Sequence, residues 1–191
     1  MTGLIILAAG QSARLGKPKQ KLLYKGNSLL QQAVKTALAS VCKPIVVVLG
    51  AFADDILPDI ESYAVQIIRN QNWDEGMASS IRAGIAQLQK TPGITRALIM
   101  LCDQPHVDAA LLNNIVQTKQ QSPKGIIACA YNNTVGVPAL FDKRYFDKLL
   151  SLSGNQGAKK ILAAYADDTQ TIPFPLGAVD IDTLEDYEGL D

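Results

Sequence analysis

Short runs of β-branched and apolar residues alternate along this chain with amphipathic segments of helical period, and this alternation limits the folds that it can adopt. Strands of a buried parallel sheet form continuous apolar runs, and each needs a crossover, usually a helix, before the next one. The pattern therefore predicts an α/β fold with a mostly parallel sheet. Strands are expected at residues 4–8, 44–49, 65–69, 96–101, 125–130, 137–141, 169–172 and 178–181.

The segments between these strands fit helices, and polar residues suited to N-caps stand at three of their starts, Ser28, Asp108 and Thr183. Turn residues cluster within residues 132–157, so this part is expected to carry ligand-binding loops. Helices are expected at residues 28–40, 53–62, 78–89, 108–121, 143–150, 158–164 and 183–189.

The composition indicates one globular domain over residues 1–191, with 48% hydrophobic and 19% charged residues. Lys plus Arg and Asp plus Glu both total 18, so no overall field draws the chain to nucleic acid or to an anionic membrane. Cys42, Cys102 and Cys129 lie far apart, which predicts neither a disulfide framework nor a thiolate zinc site. Because the apolar start is too short for a signal peptide or a membrane span, the chain is expected to be cytoplasmic.

The most informative stretch is the loop at residues 7–20, which follows the first predicted strand and precedes a helix. Open α/β sheets bind their ligands at this position, the carboxyl ends of the strands. Small residues let backbone N–H groups approach an anion, and cationic side chains balance its charge, so the expected ligand is a polyphosphate. The small residues are Ala8, Ala9, Gly10 and Gly16, and the cations are Arg14, Lys17 and Lys19.

Two familiar phosphate-binding motifs fail on the spacing of this loop. A Walker P-loop has four residues between its glycines and a hydroxyl residue after its lysine, whereas Gly10 and Gly16 are separated by five and Lys17 precedes Pro18. The dinucleotide motif G-x-G-x-x-G is absent as well. A basic, glycine-rich surface loop without a ligand is the remaining alternative.

Asp103 directly follows an apolar strand, and Pro105 prevents that strand from continuing. A carboxylate at a strand's carboxyl end suits a magnesium ion, which uses one or two carboxylates together with phosphate oxygens. The alternative is a turn or capping aspartate before the helix at Asp108. Asp180 and Asp182 alternate with Val179 and Ile181, so a strand there would point both carboxylates to one face. One of them could complete the metal site, or both could be solvated.

Taken together, these motifs resemble a known family, the nucleotidyltransferases related to molybdenum cofactor cytidylyltransferase. That family has a three-layer, Rossmann-like fold of the glycosyltransferase-A type, so the resemblance implies this fold. The motifs that carry the resemblance fall in the family's order along nearly the whole chain: LAAG with the following Arg, Gly and Lys at 7–19, NWDEGMASSIRAG at 72–84, CDQP at 102–105, GVP at 136–138 and DIDTLEDY at 180–187.

The resemblance implies transfer of a nucleoside monophosphate from a nucleoside triphosphate to a phosphorylated acceptor, with Mg²⁺ as cofactor and pyrophosphate as product. Within the DID segment Asp182 matches the second metal ligand better than Asp180, and Asp186 fits a helix cap. The resemblance implies three sets of site residues. The catalytic residues are Arg14, Lys19 and Asp103, and the metal-binding residues are Asp103 and Asp182. The nucleotide-binding residues are Leu7, Ala8, Ala9, Gly10, Arg14, Lys19, Ser80 and Arg82.

The form Ala8-Ala9-Gly10 resembles the cytidylyltransferase branch, which favours CTP as donor and molybdopterin as acceptor. Two departures in the acceptor half weaken the acceptor assignment: Asn155 replaces an expected aspartate, and Val137 replaces a residue that is often polar. A cytidylyl- or uridylyltransferase for a sugar or polyol phosphate stays open as an alternative. So does a non-catalytic accessory protein that delivers the cofactor to a molybdenum enzyme.

Overall fold

The computed structural model describes residues 1–12 and 15–190, and the strands within these ranges form one seven-stranded sheet and one small hairpin. The sheet has the order β5-β4-β1-β6-β8-β7-β9, while β2 and β3 form the hairpin. The strands are β1 (Thr2–Ala8), β2 (Leu23–Tyr24), β3 (Asn27–Ser28), β4 (Ile45–Leu49), β5 (Gln66–Arg69), β6 (Arg96–Leu101), β7 (Ile126–Tyr131), β8 (Thr134–Asp142) and β9 (Thr169–Pro173).

Most neighbouring strands of the sheet run parallel, as the alternating sequence pattern predicts. β1 pairs in parallel with both β4 and β6, so that Leu7 lies between Val48 and Leu101. β4 also pairs in parallel with β5, and β7 with β9. The antiparallel strand β8 is inserted between β6 and β7. The mostly parallel, Rossmann-like architecture is thereby confirmed.

Helices cover both faces of this sheet and give the fold its three layers. Successive residues of β1 alternate between two buried clusters, with Leu4 and Ile6 in one and Ile5 and Leu7 in the other. Both clusters continue into helices, so the strands are buried on both faces. The helices are α1 (Leu29–Leu38), α2 (Ala53–Ile60), α3 (Met77–Gln89), α4 (Ala109–Gln121), α5 (Phe146–Leu150), α6 (Ala158–Ala164) and α7 (Leu184–Glu188).

The three predicted N-caps are confirmed. The side chain of Ser28 accepts a hydrogen bond from the backbone N–H of Gln31, and Asp108 caps α4 in the same way. Thr183 forms a reciprocal capping box with Asp186 at the start of α7, which agrees with the capping role expected for Asp186.

One predicted strand does not form. Residues 178–181 do not form a strand, because Pro175–Ala178 is a 3₁₀ turn and the N–H of Ile181 donates to the carbonyl of Asp103 at 3.1 Å instead of pairing in a ladder. Residues 132–157 contain β8 and α5, in agreement with the strand and the helix expected at 137–141 and 143–150. The turn residues in this segment end those elements without displacing them.

Two further properties bear on the chemistry of the chain. Cys42, Cys102 and Cys129 are all buried as free thiols, and burial followed by the neighbouring Asp103 raises the pKa of Cys102 to about 12. In the ranges that the structure covers, no helix combines the length and the apolar character needed to cross a membrane.

Gly84 allows α3 to pack closely on β1. A Cβ atom at Gly84 would lie 2.7 Å from Cγ2 of Ile5, which is fully buried. We therefore expect Gly84→Val to lower the free energy of unfolding by about 1–3 kcal/mol through overpacking. Ala86→Val, at an exposed position of the same helix, controls for helix propensity and should cost less than about 1 kcal/mol. Equal unfolding midpoints in urea for the two variants would contradict this packing argument.

Candidate active site

The candidate site lies where the parallel strands β1 and β6 end. Leu7 pairs with Leu101 near the carboxyl ends of these strands, so the loop after Ala8 and the turn containing Asp103 leave the same edge of the sheet. Ligands of open α/β sheets bind at such an edge. Two adjacent cavities open there.

Gln20 holds the loop that follows β1. Its side chain is 1% exposed, and its Nε2 donates to the carbonyl oxygens of Ala8 at 2.9 Å and Gly10 at 3.1 Å. The backbone N–H of Lys19 also donates to Oγ of Ser12 at 3.1 Å. These bonds fix the small residues against the sheet edge. Sequence reasoning missed Gln20, because nothing in its local pattern shows that its amide reaches back twelve residues.

The ammonium group of Lys19 lies between two carboxylates. Nζ donates to Oδ2 of Asp103 in a very short contact and to Oδ1 of Asp182 at 2.9 Å. Burial lowers the pKa of Lys19, but the charge and hydrogen bond of Asp103, together with a smaller contribution from the hydrogen bond to Asp182, more than offset this, so the pKa is raised. Lys19 is therefore fully protonated at neutral pH.

The same carboxylates suit a divalent cation. Oδ1 of Asp103 is buried and has no hydrogen-bond partner among the described residues, which leaves a negatively charged atom available for a ligand. Asp182 is hydrogen-bonded to the same ammonium, whereas Asp180 makes no ion pair with Lys19 in the described part of the chain. The position of Lys19 marks the place where a cation is stabilised by Asp103 and Asp182.

This donor set suits a hard divalent cation such as Mg²⁺ or Mn²⁺. Within residues 1–12 and 15–190 no group of three or more His, Cys, Asp or Glu side chains is arranged to hold a metal ion. Mg²⁺ is usually held by one or two carboxylates, while phosphate oxygens and waters complete its shell. Asp180 lines the same cavity as this pair, and burial followed by the charges of Asp182 and Asp103 raises its pKa.

The smaller of the two cavities, the loop cavity, has a volume of about 430 Å³. It is bounded by the loop after β1, by the start of α3 and by the end of β6. Its lining includes Leu7, Ala8, Ala9, Gly10, Gln20, Trp73, Ser80, Cys102 and Asp103.

The larger cavity, the hairpin cavity, has a volume of about 690 Å³ and lies against the β7–β8 hairpin. Its lining includes Ile81, Ile99, Gln104, Tyr131, Val137, Lys159, Asp180 and Asp182. The cavities meet at the ammonium–carboxylate group, because both are lined by Leu7, Lys19, Met77, Leu101, Asp103 and Asn155.

Asn155 stands at this junction because its loop rests on the start of α3. The N–H of Ala78 donates to the carbonyl of Gly154 at 3.1 Å. Gly76 has a φ of 102°, and a Cβ there would lie 2.5 Å from Oδ1 of Asn155, so only glycine permits this approach. The departure from the family motif at Asn155 thus falls between the cavities.

Most of the predicted site residues come together. Leu7, Ala8, Ala9, Gly10, Lys19, Ser80 and Asp103 line the loop cavity, and Asp182 joins them through Lys19. Arg14 lies outside the described residues.

Arg82 is not brought into either cavity. Its guanidinium donates to Glu75 at 2.5 Å and to the carbonyl of Leu152 at 2.9 Å. Ser80 and Arg82 are two positions apart on α3, and such positions point to different sides of a helix. The side chain of Ser80 takes the cavity side, where its Oγ accepts from Asn70 at 3.0 Å.

The chain is similar to known proteins along most of its length. Residues 4–169 match the model of the MobA-like NTP transferase domain. The nicotine blue oxidoreductase of Paenarthrobacter nicotinovorans is 31% identical over 167 residues, which cover 83% of this chain and 79% of that protein. The molybdenum cofactor cytidylyltransferase of Escherichia coli is 25% identical over 187 residues, which cover 96% and 92% of the two chains.

A solved structure resembles the fold closely. The crystal structure of Rv0371c from Mycobacterium tuberculosis has a TM-score of 0.87 at 28% identity, covering 99% of this chain and 96% of that chain. A second structure of that protein, in complex with manganese, has a TM-score of 0.83 at 26% identity and covers 99% and 97%. The family model spans most of the sequence, and the chain belongs to the MobA-like NTP transferase family.

Proposed function

We propose that this nucleotidyltransferase moves CMP from CTP to molybdopterin and releases pyrophosphate. The observation that carries the proposal is the junction of two cavities at Lys19, Asp103 and Asp182. A donor in the loop cavity and an acceptor in the hairpin cavity would meet at this group. Such placement of two reactants side by side is the main requirement of phosphoryl-type transfer.

The proposed reaction is a displacement at the α-phosphorus of the nucleoside triphosphate. A phosphate oxygen of the acceptor attacks the α-phosphorus of the triphosphate, a new P–O bond forms, the bond between the α-phosphorus and the bridging oxygen breaks, and pyrophosphate leaves with that oxygen. A phosphate monoester is already anionic at neutral pH, so no protein base is needed. Catalysis then rests on positioning and on charge neutralisation.

Each charged group has a role in this scheme. Lys19 stabilises the negative charge that develops on the leaving pyrophosphate, and we assign Arg14 the same task. Asp103 and Asp182 would hold Mg²⁺, and a bound Mg²⁺ would neutralise phosphate charge. Ser80 and the backbone N–H groups at Ala8, Ala9 and Gly10 would contact the nucleotide.

The choice of CTP and molybdopterin rests on the Ala8-Ala9-Gly10 form and on the E. coli relative. A sugar or polyol phosphate is the alternative acceptor, and an accessory role in cofactor delivery remains a further possibility. Pyrophosphate release should therefore be measured with Mg²⁺, each common nucleoside triphosphate, and molybdopterin or sugar and polyol phosphates. Because one relative is named a nicotine blue oxidoreductase, a parallel assay follows the absorbance of nicotine blue in the presence of a reductant. Release only with CTP and molybdopterin supports the proposal, and dye reduction without any release overturns it.

Removing either charge at the junction should abolish most turnover. Asp103→Asn and Lys19→Met are each expected to lower kcat by about 100–1,000-fold, because preorganised charges contribute about this much to transition-state stabilisation. Asp54→Asn, at an 86% exposed side chain paired with Arg69, is the control and should keep wild-type kcat. Steady-state pyrophosphate release checks the series, and near-normal kcat in Asp103→Asn would refute the assignment.

The same two substitutions should change metal affinity in opposite directions when no nucleotide is present. Because the Lys19 ammonium lies between the carboxylates, it competes with a divalent ion for them. We expect Lys19→Met to bind Mn²⁺ about tenfold more tightly than wild type, a change of about 1.4 kcal/mol, and Asp103→Asn to bind it more weakly. Electron paramagnetic resonance of free Mn²⁺ measures both affinities. Weaker binding by Lys19→Met would contradict the competition.

The contacts of Gln20 should matter for nucleotide affinity. Gln20→Met removes the donor to two backbone carbonyls, and each unpaired buried polar group costs about 1–3 kcal/mol. We expect a lower melting temperature and about tenfold weaker CTP binding by calorimetry, since the loop loses its support. Gln32→Met, on the half-buried side of α1, serves as the matched control. Unchanged CTP affinity in Gln20→Met would show that the loop holds its shape without this amide.

A further inference from the structure

Among the residues that the structure describes, the lining of the hairpin cavity has more carboxylates than cations. Asp103, Asp180 and Asp182 line it, together with the cations Lys19 and Lys159. Lys19 is already hydrogen-bonded to Asp103 and Asp182. Among the lining residues that the structure describes, Lys159 is therefore the one cationic side chain without an ion pair.

The position of Lys159 follows from its packing on the β7–β8 hairpin. A Cβ atom at Gly136 would lie 3.4 Å from Cε of Lys159 and 2.2 Å from Oη of Tyr131. The Tyr131 hydroxyl donates in turn to the carbonyl of Val137 at 3.1 Å. The methylene chain of Lys159 thus lies against β8 beside Tyr131. Lys159 is exposed and also lines the cavity, so its side chain is accessible both from solvent and from the cavity.

We propose that Lys159 binds the phosphate group of the acceptor in the hairpin cavity. This inference rests on the proposed function and assigns the acceptor side a residue of its own. A phosphate dianion that enters a cavity lined by carboxylates is repelled unless a cation is close. A lysine ammonium supplies a compact charge with three donors for phosphate oxygens.

The division of cations between the cavities supports this assignment. Lys19 lines both cavities and is tied to the carboxylates, so the donor and the junction use its charge. Lys159 lines only the hairpin cavity. The apolar residues Ile81, Ile99 and Val137 in the same lining suit a phosphate monoester with an apolar or aromatic body. Phenyl phosphate has both features and serves as the probe.

The neighbouring residue provides a matched control. Lys160 is exposed, follows Lys159 in α6, and is absent from the lining of the hairpin cavity. Phenyl phosphate and inorganic phosphate are titrated calorimetrically into the wild-type protein, Lys159→Met and Lys160→Met in the presence of Mg²⁺. We expect Lys159→Met to bind phenyl phosphate about tenfold more weakly, with wild-type affinity in Lys160→Met. Added salt should weaken binding to the wild type more than to Lys159→Met. Melting temperatures confirm that both variants are folded.

Equal affinities for Lys159→Met and Lys160→Met would overturn the proposal, and so would the absence of phenyl phosphate binding to the wild-type protein. A kinetic measurement separates this outcome from failure of the proposed function. If the wild type transfers CMP, Lys159→Met should raise the KM for the acceptor about tenfold and leave the KM for CTP unchanged. If the wild type transfers no nucleotide to any acceptor, the proposed function fails, while the phosphate titrations still decide the role of Lys159.

Discussion

The ion-pair group of Lys19, Asp103 and Asp182 is the interaction on which the site depends. It joins segments that are 84 and 163 residues apart in sequence, and it lies at the shared wall of both cavities. Two carboxylates this close would repel each other strongly in a partly buried place, so a cation must be present between them. Lys19 fills that requirement from within the chain. The cost of bringing these carboxylates together is thereby met before any ligand arrives.

The sheet topology makes this arrangement possible. β1 and β6 are neighbours in the sheet although a long stretch of chain separates them, and their parallel pairing puts the loop after Ala8 beside Asp103. The segment that carries Asp182 is then held by the backbone, where the N–H of Ile181 donates to the carbonyl of Asp103. The amide of Gln104 adds a second connection, because its Nε2 donates to Val137 and Gly177. The same strand end therefore organises the loop cavity and the hairpin cavity.

The sequence predicts those features that depend on local pattern. Apolar runs located the parallel strands, capping residues located three helix starts, and the position of Asp103 after an apolar run placed it at the sheet edge. Features that depend on residues distant in sequence could not be predicted in this way. The antiparallel direction of β8 leaves no trace in its composition, and the amide of Gln20 finds its carbonyl partners only after the loop has folded back. The error at Arg82 could have been avoided from the sequence, because Ser80 and Arg82 are two positions apart on one predicted helix and their side chains therefore point in different directions.

In the proposed reaction, Asp103 and Asp182 bind the Lys19 ammonium in the free protein and the metal ion in the complex. Binding of the nucleotide donor and binding of the metal are therefore coupled. Without ligands, the ammonium of Lys19 is hydrogen-bonded to both Asp103 and Asp182. A triphosphate in the loop cavity offers this ammonium a second set of oxygens, and a divalent cation offers the carboxylates a second counter-charge. Each exchange favours the other, because neither leaves a buried charge unpaired. By thermodynamic reciprocity, nucleotide should then strengthen metal binding by the same factor as metal strengthens nucleotide binding. A single lysine between two aspartates is sufficient to produce this linkage, with no movement of the sheet.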